Sequence, residues 1–396
     1  MFPTRIYSNA PCVASPKAFV EINVGALKHN YKILSKRAPN ARKICVVKAD
    51  AYGHASEICV PALLEEGCDF FAVSCIEEAI AVRKLCRKAQ KNADVLILGY
   101  TEGSLAPLLS EYDIIQTAVS EEHALSLAHF AEGKNVSVRV HVALDTGMNR
   151  IGIEAATSDE CERAIGAVKG LLARKGLKIE GIFTHFARAD EDFDSTDGGE
   201  FTKAQFERFN FVRQGLLRDG IKLFCHVSNS AATLRLSEYA LDGVRVGIAL
   251  YGVNPSPFVK ADTLPVMTLK TLVTRTNEIM AGETAGYGGA YCARRDGKVA
   301  TLPIGYADGF IRAFSGFSVT VHTKAGDVKA PVVGRVCMDQ CIIDISGAEV
   351  SVEDAVTVFG SDPEDLSKLA KMASTIEYEV LCLVSARLPR IVKEEG

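Results

Sequence analysis

The pattern that most limits what this 396-residue chain can fold into is a regular alternation over its first two-thirds. Short β-rich apolar runs occur at 44–48 (ICVVK), 69–74 (DFFAVS), 94–99 (DVLILG), 113–119 (DIIQTAV), 137–143 (SVRVHVA), 179–185 (IEGIFTH), 224–228 (FCHVS) and 243–248 (GVRVGI). Segments of helical period separate them, as at 76–89, 120–131 and 202–218. Eight strands alternating with helices predict an α/β fold built on a closed parallel (β/α)8 barrel of the TIM type. The competing doubly wound open sheet usually has fewer strands. A further strand-like run, 18–23 (AFVEIN), precedes a helix at 24–38 and is expected outside the barrel, packing with the C-terminal part of the chain. Beyond about residue 260 the helical rhythm stops. Strand-like runs follow at 270–279, 298–303, 317–323, 329–336, 341–345 and 354–359, punctuated by Gly and Asp-Gly turns. The expected organisation is an arm over 1–16, a barrel over 17–260 and a mostly β domain over 261–396.

Charge and composition narrow the function. A net charge of −4 provides no basic field for nucleic acid or an anionic membrane surface. No apolar run approaches the ~18 residues needed to cross a bilayer. The first residues, MFPTRIYSNAPCVASPKAF, lack the apolar stretch of a signal peptide, so a cytoplasmic protein is expected. The twelve cysteines are scattered, with no CxxC pair. Reduced, mostly buried thiols fit this spacing better than disulfides or a zinc site, and no metal is expected.

In a (β/α)8 barrel the working residues stand at the C-terminal ends of the strands and just beyond them. That rule selects Lys48, Tyr52 and His54 after the first run, and His141, Asp145 and Arg150 at the fifth. It also selects His185 at the sixth, Asn229 and Ser230 after the seventh, and Arg245, Gly247 and Ile248 on the eighth. Asn229 and Ser230 would open a helix, whose free N–H groups favour a phosphate, and Gly247 allows close backbone approach. A lysine at a buried strand end is costly unless its charge is paired or removed, and linkage to a carbonyl removes it. Lysine, phosphate site and neighbouring arginine or histidine outline a pyridoxal 5′-phosphate site, although a Schiff-base aldolase fits the same outline.

Three other motifs do not hold. DTG at 145–147 has no second copy, as an aspartic protease requires. DEDFDSTDGGEF has Ser195 where a calcium loop needs glycine and Phe201 where it needs glutamate, so it reads as a solvated acidic loop. AGYGGAY lacks the Gly-Lys-Ser/Thr ending of a P-loop.

The stretches VVKADAYGH, DTGMNRIG, EGIFTHFARAD, SNSAA, VRVGIALYG, GYGGAY, PIGYADG, GRVCMDQ and TIEYEV, in that order, resemble bacterial alanine racemase over nearly the whole chain. The resemblance implies a pyridoxal phosphate enzyme that interconverts L- and D-alanine, supplies D-alanine for peptidoglycan, and works as a homodimer with shared active sites. Lys48 resembles the lysine that holds the cofactor covalently. Tyr52, Ser230, Gly247, Ile248 and Tyr378 resemble its phosphate-binding set. His185 resembles the histidine against the pyridine ring, and Arg245 the arginine facing the ring nitrogen. An arginine there would stay protonated, limit delocalisation into the ring and so suppress transamination. Tyr287 resembles the second catalytic base, reaching in from the partner subunit. Arg150, Met338 and Tyr306 match positions that contact substrate or narrow its entrance. One departure stands out: the family often has a carbamylated lysine at the position of Ala143. We therefore expect a chloride, a water or a nearby carboxylate to partner Arg150. The resemblance leaves a serine or broader-specificity racemase, or a cofactor-binding protein without catalysis, as alternatives. The space filled by Tyr378 and Met338 favours alanine, and the complete β domain with Tyr287 favours catalysis.

Overall fold

The computed structural model describes residues 6–7 and 16–393. Most of the arm expected over 1–16 lies outside the described residues. The chain divides into two compact units, one of residues 27–51 and 59–263, the other of 1–26, 52–58 and 264–396.

In the first unit eight strands close a parallel barrel. They are β1 (Arg42–Val46), β2 (Phe70–Val73), β3 (Asp94–Ile97), β4 (Ile115–Ala118), β5 (Val138–Asp145), β6 (Leu177–Phe183), β7 (Phe224–His226) and β8 (Gly243–Val246). Each pairs in parallel with its sequence neighbour, and β8 closes on β1 with Arg245 opposite Ile44. The apolar runs are buried on both faces, as parallel strands under a ring of helices must be. Helices such as Ile76–Lys88 and Ser158–Leu172 put one buried stripe on the barrel. The second of these starts in a capping box, with Thr157 and Glu160 satisfying each other's backbone N–H groups.

Charged residues gather at the N-terminal ends of the strands. Arg42 pairs with Asp69 and Asp94, and Arg139 with Asp94, Asp113 and Glu180, at 2.7–3.1 Å. Burial alone would raise the Asp94 carboxyl, but Arg139 and Arg42 override it and hold it below the usual range.

In the second unit, Ala18–Ile22 pairs antiparallel with β9 (Met267–Leu272) and parallel with the last strand, Arg390–Val392. The run read as one strand over 270–279 is two. After Leu272, which pairs with Ala355, the chain changes partner, and β10 (Arg275–Ile279) pairs with Gly297–Leu302. Val273 and Thr274 make the switch, donating to Asp354 O and Thr301 O. Two helices, Asp365–Met372 and Glu377–Leu383, complete this unit. Cys45, Cys68, Cys86, Cys161, Cys225 and Cys341 are buried thiols.

Candidate active site

Lys48 does not end a strand. β1 stops at Val46, and Lys48, half-buried, opens a turn in which Ala49, Asp50, Ala51 and Tyr52 all have φ between 51° and 58°. A left-handed helical turn costs L-residues about 1–2 kcal/mol each, so it persists only where its surroundings hold it. Ala51 N donates to Val47 O at 2.9 Å, and Ala49 N to Glu78 Oε1 at 2.6 Å. The other Glu78 oxygen accepts from Ser74 N. Glu78 thus ties the turn after β1 to the turn after β2.

Arg245, near the end of β8, is the most heavily engaged side chain of the barrel interior. Nη1 donates to His226 Nδ1 and His226 O, both at 2.8 Å. Nη2 donates to Thr184 O at 2.8 Å, to Val227 O at 3.0 Å and to His185 Nδ1 at 3.2 Å. Among the described residues no acceptor meets Nε. Burial, with Arg150 adding repulsion, pushes the guanidinium down to about 9, still high enough to remain charged near neutrality. Phe183 underlies this cluster, with Arg245 Cζ 5.2 Å from its centroid and the His226 ring stacked on it at 4.7 Å.

His185 lies just past β6 and is pushed well below the usual histidine range, first by burial and then by Arg245, Arg150 and Lys48. It is therefore neutral, and its Nδ1 accepts from Arg245. Gln205 brackets it: Nε2 donates to His185 O and to Thr146 Oγ1, while Oε1 accepts from Ala187 N. Thr146 in turn bonds Thr184 Oγ1 at 2.8 Å. In this way the loop after β5, which carries Arg150, is fastened to the end of β6.

Asn229 caps the short helix Ser230–Arg235, its Oδ1 accepting from Ala232 N at 3.0 Å. Ser230 Oγ accepts from Gly247 N at 2.9 Å, which joins the ends of β7 and β8. Ile248 is buried in the 3-10 turn that follows Gly247.

Around Ala143 the barrel leaves a cavity of about 20 Å³, lined in part by Asp145, Met148, Arg150, Thr184 and His185. That is room for one water or small ion. The carboxylate partner considered for Arg150 is not there. Among the described residues none lies within ion-pair distance, because Asp145 is turned to its own loop and accepts from Gly147 N and Asn149 N. A water or an anion remains.

The other sequence-predicted residues belong to the second unit. Tyr52 and Tyr378 meet there, with ring centroids 6.3 Å apart. Burial pushes the Tyr52 hydroxyl up. Tyr306 and Met338 are brought together when PIGYADG zips to GRVCMDQ: Tyr306 N donates to Cys337 O and Ala307 N to Met338 O, both at 3.0 Å. Gly305 is required at this crossing, since a Cβ would lie 2.3 Å from Cys337 O. Tyr287 sits in the turn of a small hairpin, Thr284–Ala285 with Tyr291–Cys292, where Gly286, Gly288 and Gly289 take positive φ. Its side chain is 72 % exposed.

Sequence reasoning about strand ends misses His226, Gln205 and Glu78, and it selects His141 without giving it a partner. His226 is passed over because the seventh apolar run reads on to 228, although β7 ends at His226 itself.

Two family profiles match the chain, one described as alanine racemase, N-terminal domain, over residues 22–255, the other as alanine racemase, C-terminal domain, over 266–392. Alanine racemase 1 of Clostridium acetobutylicum is 38 % identical over 386 residues, 96 % of each chain. The alanine racemase of Methanococcus maripaludis is 37 % identical over 388 residues, 96 % of this chain and 99 % of its own. Among solved structures, alanine racemase of Clostridium difficile 630 matches with a TM-score of 0.86 at 32 % identity, covering 97 % of both chains. That of Bacillus anthracis with bound L-Ala-P matches at 0.85 and 31 %, covering 98 % of this chain and 97 % of that one.

Proposed function

From membership of the alanine racemase family, to which this chain belongs, we propose that it interconverts L-alanine and D-alanine by moving the α-proton between two bases, with pyridoxal 5′-phosphate as cofactor. The observation that carries this reading is the group buried at the end of β8: a guanidinium with no carboxylate partner among the described residues, held by backbone carbonyls and two neutral histidines.

The donor set fits the cofactor. Arg245 Nε, left over by the protein's own acceptors, suits a neutral pyridine nitrogen, which accepts but does not donate. Ser230 Oγ and Ile248 N are hydroxyl and amide groups at the ends of β7 and β8, suited to phosphate, with Gly247 N holding the Ser230 hydroxyl and Asn229 fixing the helix start. By resemblance to the family, Tyr52 and Tyr378 would add phenol donors to the phosphate. Lys48 is the amine that would hold the cofactor covalently. When bound, the cofactor supplies the electron sink that acidifies the substrate's α-carbon.

The chain's own residues do the rest. Lys48 Nζ takes the α-proton on one face, or returns it there, and Tyr287 Oη does the same on the other. Phenols ordinarily titrate near pH ~10, so Tyr287 needs hydrogen-bonding or cationic neighbours to act as a base. Its exposure in one chain supports a site completed in a homodimer, with Tyr287 lent to the partner subunit. Arg150 would face the substrate carboxylate. Tyr306, Met338 and Tyr378 would limit the side chain to a methyl.

A racemisation assay over a panel of L-amino acids tests this reading, with Lys48→Ala and Tyr287→Phe beside the unaltered protein. Alanine should turn over fastest, and both variants should be at least about a hundredfold slower. Mixing and re-associating the two variants should restore about one quarter of the activity, because half the dimers would carry one intact site of two. Full activity in Lys48→Ala would overturn the assignment, and faster turnover of serine would change the substrate.

A further inference from the structure

We infer that His141 is a positioning residue for the reaction: from one layer deeper in the barrel, it fixes the tautomer of His226 and thereby the orientation of Arg245. The inference rests on the reading of Arg245 given above. Its geometry is a chain of three side chains. Arg245 Nη1 lies 2.8 Å from His226 Nδ1, and His226 Nε2 lies 2.9 Å from His141 Nδ1. A guanidinium has donors and no acceptor, so His226 Nδ1 must carry a lone pair. The proton of neutral His226 is then on Nε2, aimed at His141 Nδ1, which must also carry a lone pair. His141 therefore has its proton on Nε2. Only this arrangement satisfies both contacts with two neutral rings.

Neutrality of both rings agrees with their surroundings. Burial pushes His141 down to about 4, and it pushes His226 well below the usual range, with Arg245 and then His141 adding to the effect. The charges bearing on His141 are Glu180, Asp94, Arg139 and Arg42, at the N-terminal end of the barrel. Glu180 and Asp94 favour its protonation, Arg139 and Arg42 oppose it, and burial outweighs them all.

The backbone is shaped to seat this ring. The β5–β6 register shifts between Val140 and His141, which brings His141 opposite Gly181. A Cβ on residue 181 would lie 2.8 Å from three atoms of the His141 ring. Phe70 meets the ring edge-on at 6.0 Å and Phe224 packs beside it at 5.9 Å.

Without an acceptor at His141 Nδ1, the His226 Nε2–H is left buried and unbonded. The other His226 tautomer would turn an N–H toward an Arg245 N–H. Either result loosens the contact that sets the angle of the guanidinium. His141→Phe keeps the ring and removes the acceptor, whereas His141→Asn returns an acceptor to nearly the position of Nδ1.

Two measurements test this. In ¹⁵N-histidine-labelled protein without cofactor, with His226 assigned by its loss in His226→Gln, Nδ1 should give the signal of an unprotonated ring nitrogen and Nε2 that of a protonated one. The opposite pattern overturns the inference, with no variant at position 141 required. In the cofactor-loaded enzyme, His141→Phe should lower kcat for alanine about tenfold with KM nearly unchanged, and weaken pyridoxal phosphate binding by a similar factor. His141→Asn should recover most of both losses. Equal losses in the two variants, or none in His141→Phe, would overturn it. If the unaltered protein racemised nothing, the functional reading would fall, and the ring-nitrogen signals would still decide the tautomer.

Discussion

The Arg245–His226–His141 chain inside the barrel and the hairpin turn that carries Tyr287 hold their functional side chains by opposite means. In the barrel all three side chains are at most 3 % exposed, and every Arg245 donor except Nε is matched to a carbonyl or a ring nitrogen. The turn is anchored from beneath by a small cluster of Ile279, Ala285, Ala293 and Val299, and three positive-φ glycines lift Tyr287 away from it. Burial fixes the first arrangement within a single chain. The second sets only the place of a phenol and leaves its surroundings to be supplied, as the proposed dimer would do. The difference teaches where mutations should cost stability and where they should cost only rate.

Lys48→Ala should have the largest effect on rate, a loss of about 10⁴-fold in alanine racemisation, the upper end for a positioned acid–base group. Tyr287→Phe should lose about 10²–10³-fold while unfolding within about 0.5 kcal/mol of the unaltered protein, because its ring is exposed. Arg245→Leu should behave in the contrasting way. It strands the carbonyls of Thr184, His226 and Val227 without donors and should cost about 3 kcal/mol or more in denaturant unfolding. Equal stability losses in these last two variants would erase the distinction between the regions.

Acid should also separate them. His141, His226 and His185 are all depressed in the folded protein, so below the ordinary histidine pKa the unfolded chain binds protons that the native chain refuses. Stability should therefore fall as pH drops below about 6.5, by up to ~1.4 kcal/mol per pH unit for each such group, continuing toward pH 4 for His141. Denaturant melts between pH 7 and 5 would show it, and a flat profile would mean that these rings protonate in the native state. The smallest effect expected is in selectivity: Met338→Ala should raise kcat/KM for serine relative to alanine about tenfold.

Much of this was legible in the sequence, for reasons that differ between residues. The eight barrel strands showed because parallel strands buried on both faces read as continuous apolar runs. Lys48, His185 and Arg245 were selected as candidates because chemistry at strand ends is a rule of the fold. The left-handed turn after Lys48 did not show, since Ala and Tyr carry no preference for positive φ and one Asp is too weak a signal for four such residues in a row. Tertiary contacts such as that of Glu78 with Ala49 N impose it. The contact of His141 with His226 was hidden because it sets one donor against one acceptor on separate strands, which appears only once the register of β5 against β6 is known. Ala143 was visible as a departure, and the cavity beside it gives that departure a size.

The central claim is that two bases serve opposite faces of one substrate carbon. It is tested most directly by following α-hydrogen exchange in deuterium oxide, starting from pure L-alanine and from pure D-alanine, with Tyr287→Phe. With Lys48 intact, one enantiomer should gain deuterium at the α-carbon without inverting, while the other should exchange little. Equal exchange of both enantiomers, or inversion at the unaltered rate, would contradict the account.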